Sequence, residues 1–220
     1  MRPCYAIREP RRSIDEVRHA FIHRLLLYDN RNTHNQLRLY QSTFFKLVEV
    51  LKNKGLRSTK NVDVEEQVAM FLYVIGHNVR LRVVAFYFSH SVSTVHRHFI
   101  SVLRAIQRIT GDYMKQPGSN DTLLQQSVTQ RSFSHYFKDC VGAIDGSYIP
   151  AMVNIEDQPR YRTRNGRIAQ NVMAAVGFDM KFTYVLAGWE GSARDPKVLK
   201  AAVRDAPTKL LIPAGNPIAF

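Results

Sequence analysis

Near residue 139 the spacing of apolar residues changes from three-and-four to two, and no other feature constrains the chain so strongly. Before that point apolar side chains recur as on one face of a helix. After it, short alternating runs are cut by turn signals, as in strands. A segment patterned for one period cannot adopt the other without turning its apolar face to water. The reading is an all-α region followed by an α/β region, and 220 residues with 45% apolar side chains suffice for a buried core.

In the first part, 11–30 and 40–54 are predicted as helices, with "RNTHNQLR" as a polar connector between them. The best-patterned region is 61–110. There "VDVEEQVAMFLYVIGHN" sets Val64, Val68, Phe71, Leu72 and Ile75 on one stripe, with Asp63 as N-cap and Glu66 completing a capping box. "VRLRVVAFYF" would pack Leu81, Val84, Ala85 and Phe88. "SHSVS" breaks that helix, and Ser93 is expected to cap "TVHRHFISVLRAIQRI". This third helix would turn Val95, Phe99, Val102, Leu103 and Ile106 inward and His96, Arg97, Arg104 and Arg108 outward. Three short helices with a tight polar turn before the last fit a helix-turn-helix-like segment presenting Arg97, Arg104 and Arg108 to nucleic acid. A small bundle with a solvated basic face fits the same pattern. The expected division is a helical region at 1–110, a linker and lead-in helix at 111–139, and the α/β region at 140–220.

Charge narrows the partners. Thirty-one Lys and Arg against 18 Asp and Glu give +13, and residues 1–60 hold 13 of the bases and 5 of the acids. A polyanion such as DNA suits that balance. Cys4 and Cys140 form no CxxC pair, which points away from a disulfide framework or a zinc knuckle. His96 and His98 fall on different helix faces. No run of apolar residues is long enough for a membrane span, and "MRPCYAIREPRRSIDEV" lacks the apolar core of a signal peptide, so an intracellular protein without membrane contact is expected. No P-loop or GxGxxG pattern occurs, so no nucleotide cofactor is expected.

In the second part, "VGAIDGSYIPAM", "AQNVMAAVGFD" and "FTYVLAGWEG" read as a three-strand meander, and "DPKVLKAAVRD" as the helix after it. Asp145 lies inside the first strand, where an unpaired charge is costly. Asp195 opens the helix fifty positions later. Two converging carboxylates repel unless a divalent cation lies between them, and all-oxygen ligands select Mg²⁺ or Mn²⁺. The alternatives are a turn carboxylate before Gly146 and a helix N-cap at Asp195. "YRTRNGR" carries Arg162, Arg164 and Arg167 on a basic hairpin tip, either solvated or gripping a DNA backbone.

These residues also carry a resemblance. "VGAIDGSYIPA" and "YRTRNGRIAQNVMAAVGFDMKFTYVLAGWEGSARDPKVL" look like the nuclease domain of Harbinger-type (PIF/Harbinger) transposases and the plant proteins domesticated from them. The upstream "VDVEEQVAMFLYVIGHNVRLRVVAFYFSHSVSTVHRHFISVLRAI" is similar to the helical region that precedes it there. The resemblance implies a truncated RNase H-like DDE fold, a nuclear protein that cuts DNA with Mg²⁺ or Mn²⁺ at Asp145 and Asp195, and a Myb-like or chromatin-associated partner. The family's later Asp-x-Gly-Tyr block and glutamate-bearing helix have no counterpart, and Arg194 stands where many relatives carry His. Glu190 of "GWEG" reads as structural. The missing third acid implies incomplete catalysis, and with it the alternative of a non-catalytic DNA- or chromatin-binding protein descended from a transposase.

Overall fold

The computed structural model describes residues 11–116, 142–205, 207 and 209–211, and the expected lead-in helix within 111–139 lies largely outside them. The chain divides into two compact units, Met1–Thr110 and Gly111–Phe220. No helix among the described residues is long and apolar enough to cross a membrane.

The first unit is helical. α1 (Arg11–His23) runs into a π-helical segment, Arg24–Tyr28, whose Leu25 and Leu26 are both buried. Asp29 stops it in an extended conformation and caps α2 (Asn30–Leu37) by accepting from Arg31 N–H at 3.1 Å. The stretch expected as a polar connector is therefore a helix. Its two anchors, Thr33 and Leu37, are four residues apart and fully buried, and Arg38 closes it in the left-handed region at φ 59°. One buried residue per turn sufficed because Thr33 hides its hydroxyl by donating to Leu25 O at 2.9 Å.

α3 (Gln41–Asn53) buries Phe44, Val48 and Leu51 at helical spacing. α4 (Val64–His77) departs from the expected single stripe. Val64 and every residue from Glu66 to Leu72 are buried, as in a helix enclosed on all sides, whereas Ile75 is 55% exposed. Asp63 has N-cap geometry without a side-chain cap bond, and Glu66 builds no capping box. Its carboxylate instead meets His90 Nε2 at 2.7 Å. α5 (Leu81–Tyr87) buries Val84 and Ala85, with Phe88 just beyond. α6 (Val92–Tyr113) buries Val95, His98, Val102, Ala105 and Ile109 at steps of three and four. Its cap is Ser91, two residues earlier than expected, whose Oγ accepts from Thr94 N–H at 3.1 Å. Ser93 contacts only that hydroxyl.

The second unit holds an antiparallel sheet in the order β1 (Ala143–Pro150), β2 (Ala169–Val176), β3 (Phe182–Glu190), followed by α8 (Asp195–Arg204). A short α7 (Gln158–Tyr161) lies in the β1–β2 connection. Ile144, Met173, Ala175 and Tyr184 share one face and pack with Val198 and Ala202 of α8. β2 alternates strictly, with Ala169, Asn171, Met173 and Ala175 buried. β3 carries an extra residue: Met173 pairs with Leu186, yet Asn171 pairs with Trp189. Gly188 absorbs it at φ 97°, and this bulge returns Trp189 to the helix-covered face. The mixed α and β composition matches the expected class, with an all-α region before a small α/β one.

Candidate metal centre and nucleic-acid interface

Asp145 pairs with Ala174 in mid-strand, so it is not a turn residue. β1 is an edge strand among the described residues, and the exposed Asp145 carboxylate accepts from Gly146 N–H at 2.8 Å. Strand alternation sets Asp145 on the face away from α8 and Gly146 on the face toward it. The Asp195 carboxylate rests on Gly146: a Cβ there would overlap Asp195 Oδ1 and lie 2.7 Å from Cγ. Two acids fifty positions apart in sequence thus reach consecutive residues of β1, from its two faces.

Asp195 is no N-cap either. Arg194 occupies that position, without a side-chain cap bond. The Asp195 side chain is held by Asn171, whose Nδ2 donates to Asp195 Oδ1 at 2.9 Å and to Ala193 O at 3.0 Å. Asn171 is fully buried and its Oδ1 has no partner. An orphaned buried acceptor costs about 1–3 kcal/mol, so this amide is kept at a cost and serves to fix the rotamer of Asp195. Sequence reasoning passed over Asn171. Its signal was a lone amide at an inward position of an otherwise apolar strand.

In donor chemistry alone, two carboxylates are what a hard divalent cation selects, although strand alternation sets them on opposite faces of β1. Both groups are carboxylates, each tied on Oδ1 and accepting no hydrogen bond on Oδ2 among the described residues. Mg²⁺ is commonly held by one or two carboxylates, with water and substrate phosphates completing its shell. Among the described residues no group of three acids, histidines or cysteines is assembled. Glu190 points elsewhere and pairs with Arg160.

The predicted arginines fall into two groups. Arg162, Arg164 and Arg167 are exposed on a hairpin tip in the second unit, closed by Thr163 N–H to Arg167 O at 2.8 Å and by Gly166 at φ 78°. Arg97, Arg104 and Arg108 line one cleft of about 790 Å³ in the first unit. Arg108 also donates to Lys54 O at 3.2 Å. The opposite wall carries Arg57 and Lys60, which the sequence reading did not single out. Also in the cleft lining, the 2% exposed His98 has its pKa pushed down, chiefly by burial and then by Arg97 and His90, with Glu66 opposing.

Residues 15–108 match a family model described as a domain of unknown function (DUF8040). No curated protein and no solved structure matches the chain. The family match covers the helical unit, carries no activity, and does not link the chain to Harbinger-type proteins.

Proposed function

We propose that the second unit is an RNase H-like, DDE-type nuclease domain that holds Mg²⁺ or Mn²⁺ at Asp145 and Asp195 for phosphodiester hydrolysis in DNA. The observation that carries this reading is the seat of the Asp195 carboxylate on Gly146, the residue that follows Asp145 in β1. The bound cation would lower the pKa of a water and offset charge on the leaving oxygen. Asp145 and Asp195 would supply oxygen ligands. Asn171 keeps Asp195 in the rotamer that leaves its Oδ2 open. Gly146 leaves space that any side chain would fill. The exposed Arg162, Arg164 and Arg167 of the same unit offer positive charge to a phosphate backbone. A nuclear location and a Myb-like or chromatin-associated partner belong to the same reading.

A second reading is a non-catalytic DNA- or chromatin-binding protein descended from a transposase. It is favoured by the two-acid composition of the site among the described residues, since in-line displacement is best served by two metals. Plasmid nicking with and without Mn²⁺, run on wild type and Asp145→Asn beside thermal melts, separates the two. Nicking that requires metal and Asp145 supports hydrolysis. A melting temperature raised by Mn²⁺ only when Asp145 is present, without nicking, supports the second reading. A melting temperature indifferent to Mn²⁺ sinks the metal site and with it the nuclease reading, and leaves the non-catalytic one.

A further inference from the structure

We infer that the cleft of the helical unit is a sequence-independent clamp for the phosphate backbone of duplex DNA, with Arg57 and Lys60 on one wall and Arg97, Arg104 and Arg108 on the other. This site differs from the candidate metal centre. It shares with the proposed function only the choice of DNA as ligand.

Charge is the first argument. Among the described residues the cleft's one acid, Asp15, is already paired with Arg18 at 3.1 Å. None of the five cations named makes an ion pair among the described residues. Five unneutralised cations facing one concavity repel each other, and a polyanion relieves this with release of its counterions. The bonds from Arg57 to Lys52 O at 3.0 Å and from Arg108 to Lys54 O position those guanidinia without neutralising them.

The lining selects among anions. Ser91 and Thr94 add hydroxyls and bring in the N-terminus of the 22-residue α6, whose dipole also favours a phosphate, while the Thr59 and Ser101 hydroxyls already donate to Val62 O and Arg97 O. Arginine, lysine and hydroxyl donors are the groups that contact phosphates without reading bases. Among the described residues the lining contains no Phe, Tyr or Trp. Single-stranded nucleic acid is bound by stacking bases on such rings, so duplex backbone is the better occupant. The cleft also changes the role expected of α6. Arg97, Arg104 and Arg108 face a concavity walled by the 54–62 segment, so they grip phosphates instead of reading base edges in a major groove.

The test is fluorescence anisotropy of the full chain in EDTA against two short duplexes of unrelated sequence and one single strand, across a salt series. Wild type should bind both duplexes within about threefold of each other and more tightly than the single strand. Arg57→Ala/Lys60→Ala and Arg97→Ala/Arg104→Ala should each lower the slope of log affinity against log salt by about one per cation removed. Lys60→Glu alters an exposed side chain and carries the test if a double variant fails to fold. It should weaken binding about tenfold or more at low salt. Unchanged affinity in these variants, more than about tenfold preference between the duplexes, or tighter binding of the single strand would each overturn the inference. With EDTA present the readout is independent of the metal centre, so failure of the nuclease reading leaves this result interpretable, and the reverse also holds.

Discussion

Three residues carry consequences that can be measured directly. His98 is buried with its Nε2 unpartnered, and its pKa is lowered mainly by burial. Below its ordinary value of about 6.5 the unfolded chain takes up a proton that the folded unit resists. The contribution is therefore intact above about pH 6.5 and is lost as pH falls toward the lowered folded value. Urea melts of the helical unit should show stability declining from about pH 7 to about pH 5, with a shallower decline in His98→Leu. An equal decline in both proteins would place the titration elsewhere. Gly146→Ala should leave the strand intact, since its φ lies outside the left-handed region, but should push the Asp195 carboxylate away and abolish any Mn²⁺-induced rise in melting temperature. Asn171→Asp would set a buried carboxylate against Asp195 Oδ1, 2.9 Å from the atom it replaces. It should cost about 3–5 kcal/mol without metal, and Mn²⁺ should restore part of that loss. Stability equal to wild type without metal would show that the site tolerates the added charge.

At the scale of elements, the strands and most helices were legible because their apolar spacing is regular, and the failures have physical causes. α2 carries one buried residue per turn and hides a hydroxyl, so it shows no stripe. α4 was read as amphipathic, but Glu66 and Gln67 are buried because His90 and the carbonyls of Arg57 and Val62 satisfy them from other elements. Such partners are absent from a local window of sequence. The α6 cap was misplaced by two residues because "SHSVS" offers several hydroxyls and only the turn geometry chooses Ser91. Ser91→Ala should therefore cost about 1 kcal/mol and Ser93→Ala close to nothing, read as shifts in urea midpoint. Equal costs would return the cap to Ser93. Asp145 and Asp195 were legible as residue types with a suggestive spacing. Gly188 and Asn171 were not, because a bulge and the amide beside it exist only once β2 and β3 are paired.

At the scale of the molecule, the two units have separate cores among the described residues, one drawn from 25–109 and the other from 144–210. They differ in size. The helical core encloses α4 almost completely, whereas the other rests on three strands covered by one helix, near the minimum for a sheet that holds by itself. Calorimetry should show two transitions, the lower one belonging to the sheet unit. Because Asp145 and Asp195 lie in that unit, Mn²⁺ should move only the lower transition, by the equivalent of about 1.4 kcal/mol at ten times its Kd. Short duplex DNA in EDTA should move the upper one, through the cleft formed by Arg97 and Lys60. Asp145→Asn should erase the first shift and spare the second, while Arg97→Ala/Arg104→Ala should do the reverse, as expected for sites with no shared residues. A single cooperative transition moved by both ligands would show that the cores unfold together and that metal and DNA are coupled through them.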